Sequence, residues 1–278
     1  MYFHAAMIIL IQSKDQIGLV AVISGILAKA GLNIVSLREH VDKVENRFFM
    51  RIEAENETDP VLLETSMRQV LPEKALITIN PKQQKKIVLL VTKEYHCLGD
   101  ILIRNYFSTL GAEVQTVIGN HTTLEDVCKR FGVPFVYISH EEEQFEAKIM
   151  EQIVALDPDY IVLAKFMRIL SPAFVAKFPA RIINIHHSFL PAFAGAQPYK
   201  QAFERGVKLI GATSHFVTDQ LDEGPIIAQQ VIPVNHSFTA ADMVKAGKDI
   251  EVSVLAKALR LVLNDRVFVY RNKTVVFE

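Results

Sequence analysis

Only two cysteines occur in 278 residues, Cys97 and Cys128, and no CxxC spacing joins them. That excludes a disulfide-stapled fold and fits a reducing cytoplasm. Charge of one sign is lacking too: 30 basic residues against 31 acidic ones leave a formal net charge of -1. Such a balance gives neither a nucleic-acid footprint nor a basic stripe for an anionic membrane, so the expected partner is a small molecule. No apolar run is long enough to span a bilayer. Met7-Ile-Ile-Leu-Ile11 is short, lacks a basic leader or a small-residue cleavage site, and reads as a strand, with no targeting segment in view. Internal repeats and low-complexity segments are missing as well.

What is present is a chain in which 50% of residues are hydrophobic, enough for two cored domains by the rule of about 150 residues each. The polar run Asn80-Pro-Lys-Gln-Gln-Lys-Lys86 separates two patterns, giving an expected first domain over 1–82 and a second over 83–278. In the first, Met7 to Ile11 reads as a buried strand, and Ser13-Lys-Asp15-Gln16 has the spacing of a capping box. Leu19, Val22, Ile23, Ile26, Leu27 and Ala30 then share a helical face that stops at Gly31. Strands at Ile34 to Val41 and Phe48 to Ala54, a helix from Pro60 to Leu71 and a strand at Ala75 to Ile79 complete a βαββαβ order, that of a ferredoxin-like sandwich.

The second domain alternates strand and helix: Ile87 to Val91, a helix near Leu98 to Leu110, Glu113 to Ile118, a helix near Leu124 to Phe131, Phe135 to Tyr137, and a helix near Glu143 to Leu156. That alternation predicts an α/β fold with a doubly wound, mostly parallel, Rossmann-like sheet. Tyr160 to Ala164 and Ile182 to Ile185 are nearly unbroken apolar runs, as strands covered on both faces require. Leu209 to Val217 and Ile226 to Val234 read as further strands, Thr239-Ala-Ala-Asp242 as the capping box of a long helix, and Val267 to Tyr270 with Thr274 to Phe277 as a closing hairpin.

The chemistry gathers at the ends of these runs. Asn184 and His186 are two apart at a strand end, so both side chains point to one side, where an amide and a protonated imidazole could hold a carbonyl oxygen that gains charge. The same pair could instead brace a turn. Asp222, in Leu221-Asp-Glu-Gly224-Pro225, could bond its own bend or act as a base for water and a proton source for a departing nitrogen. His215 and Thr218 read as loop braces more than as reacting groups, and His187, next to His186, is expected to face the other way. Cys97 beside His96 has no orienting third group, which argues against a nucleophile. His186, His187 and His215 with Asp222 lack any established ligand spacing, so no metal is expected.

Asn184-Ile-His186, Leu190-Pro191, His215-Phe-Val-Thr218-Asp and Leu221-Asp222-x-Gly-Pro225 resemble the signature of enzymes that use 10-formyltetrahydrofolate, glycinamide ribonucleotide transformylase among them. Phe166-Met-Arg-Ile-Leu-Ser-Pro-Ala-Phe174 resembles their pterin-pocket loop. By resemblance, Asn184, His186 and Asp222 are catalytic, while Met167, Arg168, Ile169 and Leu170 bind substrate together with His215, Val217 and Thr218. Asp15-x-x-Gly18-Leu19 and Asn33-Ile34 resemble an ACT domain, which implies an amino-acid effector site at Asp15, Gly18, Leu19, Asn33 and Ile34.

An ACT module before a formyltransferase-like domain is the arrangement of the formyltetrahydrofolate deformylase family, and Asn184-Ile-His-His-Ser-Phe-Leu-Pro-Ala-Phe193 and Thr92-Lys-Glu-Tyr-His-Cys-Leu-Gly-Asp100 are similar to it. One departure from the transformylases concerns the acceptor. Their first strand leads into a Gly/Ser/Asn-rich loop suited to a phosphate, whereas Lys93-Glu-Tyr-His-Cys97 is bulky and carries an acid, which leaves water as the acceptor. The resemblance implies hydrolysis of 10-formyltetrahydrofolate to tetrahydrofolate and formate in one-carbon and purine metabolism, in the cytoplasm. It implies no cofactor beyond the folate substrate, and a homo-oligomer, dimer or tetramer. Formyl transfer to an amine, or an amino-acid-responsive folate-binding protein without turnover, are the competing readings.

Overall fold

The computed structural model describes residues 7–56, 58–192 and 198–278. Two compact units divide the chain: residues up to Gln83 with Val275–Glu278, and Gln84–Thr274.

The first unit runs β1 Met7–Lys14, α1 Leu19–Lys29, β2 Asn33–Asp42, β3 Arg47–Glu55, α2 Pro60–Arg68 and β4 Leu76–Ile79. Its four strands lie in the order β2-β3-β1-β4, and the β1–β3, β1–β4 and β2–β3 pairs are antiparallel. Alternate residues of β1 and β3, among them Ile9, Ile11, Met50 and Ile52, share one core with Ile23 and Leu27 of α1 and Leu63 and Met67 of α2. Asp42 Oδ1 accepts from the amides of Val44 and Glu45 and closes the β2–β3 turn.

The helix start departs from the sequence expectation. The capping box at Ser13 to Gln16 does not form, because pairing with β3 carries β1 through Ser13, opposite Phe48, to Lys14, opposite Arg47. The Ser13 hydroxyl donates to Lys14 O instead, and α1 begins after Gly18 at φ 90° with no side-chain cap. Val22, placed on the apolar face from its spacing, is 42% exposed, since only Leu19, Ile23 and Leu27 of α1 are buried.

The second unit runs β5 Lys85–Val91, α3 His96–Tyr106, β6 Ala112–Gly119, α4 Glu125–Arg130, β7 Phe135–Tyr137, α5 Phe145–Leu156, β8 Tyr160–Leu163, α6 Pro172–Lys177, β9 Ile182–His186, α7 Pro198–Arg205, β10 Leu209–Phe216, β11 Ile226–Pro233 and α8 Ala240–Leu263; the hairpin strands β12 Val267–Tyr270 and β13 Lys273–Val276 follow. The seven-stranded sheet has the order β11-β10-β9-β8-β5-β6-β7. Pairs from β9 to β7 are parallel, and β10 turns antiparallel against both β9 and β11. Both faces of β5 are dry: Ile87, Leu89 and Val91 enter one core, Val88 and Leu90 the other. The chain leaves β5 towards β6 on one side while β8 and β9 lie on the other, so the order reverses at β5. Open α/β sheets gather ligands outside the carboxyl ends of strands at such a reversal.

Two short helices were not expected from the sequence. Ser171 caps α6 by accepting from Phe174 N, with Pro172 at the first helical position. Thr239 and Asp242 do form the reciprocal capping box at the start of α8. The longest described helix is α8, and none of the described helices is long and apolar enough to cross a membrane.

Candidate active site

A cleft of about 460 Å³ opens at the carboxyl ends of β8 and β9. β9 brings Asn184 and His186 to it two residues apart, and antiparallel pairing sets His215 of β10 directly opposite Asn184. Paired residues share a sheet face, which is why Asn184 Nδ2 reaches His215 Nε2 at 3.3 Å. His215 Nδ1 lies 2.9 Å from the Phe216 carbonyl oxygen and can only donate there, so Nε2 keeps its lone pair and accepts from the Asn184 amide. Burial lowers the His215 pKa, consistent with a neutral ring. The side chain read as a brace thus fixes which way the Asn184 amide faces.

The bend after β10 delivers the carboxylate. Asp222 adopts φ 58°, and its Oδ2 stands 3.3 Å from His186 Nδ1 while Oδ1 is 3.8 Å from His215 Nε2. The hydrogen bond from His186 holds the Asp222 carboxyl below the usual range, against a burial effect that pushes the other way. His186 Nε2, also buried, has no partner among the described residues. A buried nitrogen of that kind beside the cleft is free to meet a ligand oxygen. Gly224 makes the bend possible: a Cβ there would collide with the Phe216 carbonyl oxygen that receives His215.

The residues carried over for substrate line the same cleft: Met167, Arg168, Ile169 and Leu170 on the loop after β8, and Val217 and Thr218 after β10. Met167 and Ile169 are 59% and 76% exposed, an apolar rim, whereas Leu170 packs into the core. The loop is held at its base by the Thr92 hydroxyl, which donates to Phe166 O, and by backbone at Lys165 and Met167 in left-handed conformations, φ 64° and 54°.

His187 is corrected by the structure. It does not turn away from His186: β9 ends at His186, strand alternation stops there, and the two rings stack at 4.9 Å and 15° with both lining the cleft. The turn that follows is pinned by residues the sequence reading passed over. Thr213 Oγ1 donates to Ser188 O and accepts from Leu190 N and Gln229 Nε2. Phe193, at the end of that motif, lies outside the described residues.

Among the described residues, His96, Cys97 and Glu251 place ligand-type atoms within 4.8 Å of one another. Glu251 Oε2 is already engaged by His96 Nε2 at 2.8 Å and by the Lys165 ammonium at 3.0 Å, and a cation there opposes a metal ion. Burial drives the Cys97 thiol far above its ordinary pKa, which disfavours the thiolate needed for attack or ligation.

In the first unit, Gly18 caps α1, Leu19 is buried behind it, and Asn33 Nδ2 donates to Glu55 Oε2 at 3.3 Å at the head of β2. Asp15 N donates to Asn46 O, and Ile34 packs against the core.

The profile of the formyl transferase family matches residues 85–259, and that of the ACT domain matches residues 7–71. A relative from Escherichia coli named formyltetrahydrofolate deformylase is 52% identical over 265 residues, 94% of this chain and 95% of its own length. The chain belongs to the formyltetrahydrofolate deformylase family. The deformylase of Haemophilus influenzae is 50% identical over 272 residues, 97% of this chain and 98% of its own. A crystal structure of a deformylase from Pseudomonas syringae pv. tomato matches with a TM-score of 0.92 at 38% identity, covering 100% of this chain and 96% of that one. Glycinamide ribonucleotide transformylase 1 from Symbiobacterium toebii matches 71% of this chain and 96% of its own, with a TM-score of 0.67 at 30% identity. The deformylase relatives therefore share both units.

Proposed function

We infer that this protein hydrolyses 10-formyltetrahydrofolate to tetrahydrofolate and formate. The observation that carries the reading is the convergence of Asn184, His186 and Asp222 on one cleft, with His186 Nδ1 3.3 Å from the Asp222 carboxylate. In the proposed mechanism the formyl oxygen accepts from the Asn184 amide and from Nε2–H of a protonated His186. Asp222 takes a proton from water as the water oxygen bonds to the formyl carbon. Collapse of the tetrahedral oxyanion breaks the carbon–nitrogen bond, the proton held by Asp222 passes to the departing bridging nitrogen, and the formic acid formed ionises to formate. Each oxyanion donor is typically worth about 10²–10³ in rate, and general-base help about 10²–10⁴. The formyl carbon and formate are at the same oxidation level, so the step requires no redox cofactor.

Water as acceptor is supported by the loop after β5. Its Glu94 carboxylate pairs with Lys248 Nζ at 2.6 Å, so that ammonium is already taken by an internal carboxylate and is not open to an incoming phosphate. For the amino-terminal unit we propose an amino-acid effector at Asp15 to Leu19 with Asn33 and Ile34, and pairing of the unit with a second copy to give a dimer or tetramer. The exposed apolar side chains Ile17, Val20 and Val35, together with the edge strands β2 and β4, support that pairing. We place the reaction in the cytoplasm, where the buried thiols of Cys97 and Cys128 stay reduced.

Incubating the purified protein with 10-formyltetrahydrofolate in the absence of any amine tests the reading. Stoichiometric formate and tetrahydrofolate are expected. Turnover only after an amine is added would establish transfer, and binding without turnover would establish an idle folate site.

A further inference from the structure

The proposed chemistry leaves unused a buried set of charged and polar groups behind the cleft. Glu251 of α8 receives three donors: His96 Nε2 of α3 at 2.8 Å, Lys165 Nζ at 3.0 Å, and the hydroxyl of Tyr199 of α7 at 2.9 Å. Side-chain exposure is 2% for Glu251 and 8% for Lys165, values at which an ion is retained only with partners. Gly247 belongs to the same assembly, because a Cβ there would collide with the Tyr199 ring that reaches past it to Glu251.

The arrangement meets the reacting side at His187, whose ring Tyr199 also approaches at 6.2 Å. Lys165 Nζ lies 3.2 Å from His187 Nδ1. An ammonium has donors and no acceptor, so Nδ1 is the accepting nitrogen and the ring proton stays on Nε2. The His187 ring in turn stacks on His186, whose Nδ1 faces Asp222. Two imidazoles 4.9 Å apart repel if both are protonated.

We propose that Lys165, anchored by Glu251, is a positioning residue that locks His187 as the neutral Nε2–H tautomer, so that His186 alone in the stacked pair takes the proton the hydrolysis requires. The left-handed backbone at Lys165, φ 64°, directs its ammonium between Glu251 and His187. That conformation is unfavourable for a side chain with a Cβ and persists where surrounding contacts fix it. The groups facing His187 are Lys165 from the loop after β8, His186 from β9, Asp222 from the bend after β10, Tyr199 from α7 and Glu251 from α8. Burial, then Lys165, then His186 push the His187 pKa down to about 4, against the opposite pull of Glu251 and Asp222. The proposal rests on the reading of His186 as the protonated donor to the formyl oxygen.

The full-length protein tests it by two readouts, imidazole nitrogen NMR of His187 and the pH profile of kcat. In the native protein His187 should show the Nε2–H tautomer and stay neutral from about pH 5 to 8, across the range where an ordinary histidine titrates. In Lys165→Met, the His187 pKa should rise from about 4 but stay below the ordinary histidine value, because burial and His186 still depress it, and the acid limb of kcat should move up with it, falling about tenfold per pH unit below that point. Lys165→Arg, which keeps the cation, should restore the native tautomer and most of the profile. An Nδ1–H tautomer or an ordinary titration of His187 in the native protein would overturn the proposal, even if the variants fail to fold. So would a Lys165→Met profile that keeps its native shape. Failure of the hydrolytic reading is separable, because it would appear as no formate from the native protein at any pH, whereas the tautomer is read on the resting protein.

Discussion

The two units are both sheets with helices packed on them, yet they place their buried polar groups differently. The first packs an apolar core, Ile9, Ile11, Ile23, Leu27, Met50, Ile52 and Met67 among them, and buries Gln12, Ser13 and Arg51 within strands β1 and β3, while its candidate effector residues Gly18 and Asn33 are exposed and Asp15 half-buried. The second buries Lys165, His186, His215 and Glu251 at the carboxyl edge of its sheet. It also turns Asp222, Lys165 and Met167 through left-handed backbone there. The contrast sets the two candidate sites apart: the proposed effector residues of the first unit lie around the starts of α1 and β2, whereas the cleft of the second is built from buried titratable groups and left-handed backbone held by a web of partners.

The largest expected effect that would break this contrast is at the carboxylate. Asp222→Asn should lower kcat by about 10² or more while folate affinity changes little, since the amide keeps the size but cannot take a proton from water. Equilibrium binding and steady-state kinetics on the same preparation check it, and near-native turnover would remove Asp222 from the chemistry.

Next comes the donor pair. Asn184→Ala and His186→Ala should each reduce turnover, by about 10²–10³ if each removes one oxyanion donor, and the double variant should lose less than the product of the two. A full double-mutant cycle in kcat/KM measures the coupling. Multiplicative losses would mean that the two side chains serve separate steps.

A smaller effect concerns stability. Burial and Lys165 depress the His187 pKa to about 4, so its contribution is complete above the ordinary histidine value and is lost as pH falls from about 6.5 towards 4. Burial of Glu251 opposes ionisation, but the His96 hydrogen bond and the Lys165 charge outweigh it and hold the pKa at about 2. Its contribution is therefore complete above about 4.5 and fades below that. Both signs agree that acid weakens the second unit. Hydrogen exchange of peptides from α8 and β9 should show protection falling between about pH 6.5 and 4, by on the order of 3 kcal/mol.

The smallest effect is expected at Gly18. Its φ of 90° suits glycine, and a Cβ there meets nothing within 4 Å, so Gly18→Val should strain one turn without disturbing the core. Titrating amino acids against turnover of the full chain should show a blunted effector response with basal kcat within about twofold of native, as surface changes remote from a site usually leave it. An unchanged response would place the effector elsewhere.

These outcomes bear on what the sequence makes legible. The α8 capping box could be read from Thr239-Ala-Ala-Asp242 because both partners lie within one turn. The similar spacing at Ser13 misleads because a long-range partner, Phe48 on β3, claims Ser13 for the sheet. Asn184, His186 and Asp222 were legible as residue types at strand and bend ends, and the family motif joins them. Gly224 was legible only as part of that motif; its reason, the Phe216 carbonyl against it, exists only in three dimensions. The Glu251 network was not legible at all. Its His96 partner is 155 positions away, and no local periodicity links α3, α7 and α8 to the loop after β8. The stacking of His187 on His186 was missed because side-chain alternation was extended one residue beyond the end of β9.

The central claim is that water, activated at Asp222, attacks the formyl carbon. Single-turnover reaction of the protein with 10-formyltetrahydrofolate in ¹⁸O-labelled water, with no amine present, tests it most directly. The account expects one solvent oxygen in each formate released, at the rate tetrahydrofolate appears, and loss of that release in Asp222→Asn with substrate still bound. Labelled formate from Asp222→Asn at the native rate, or no labelled formate from the native protein, would contradict it.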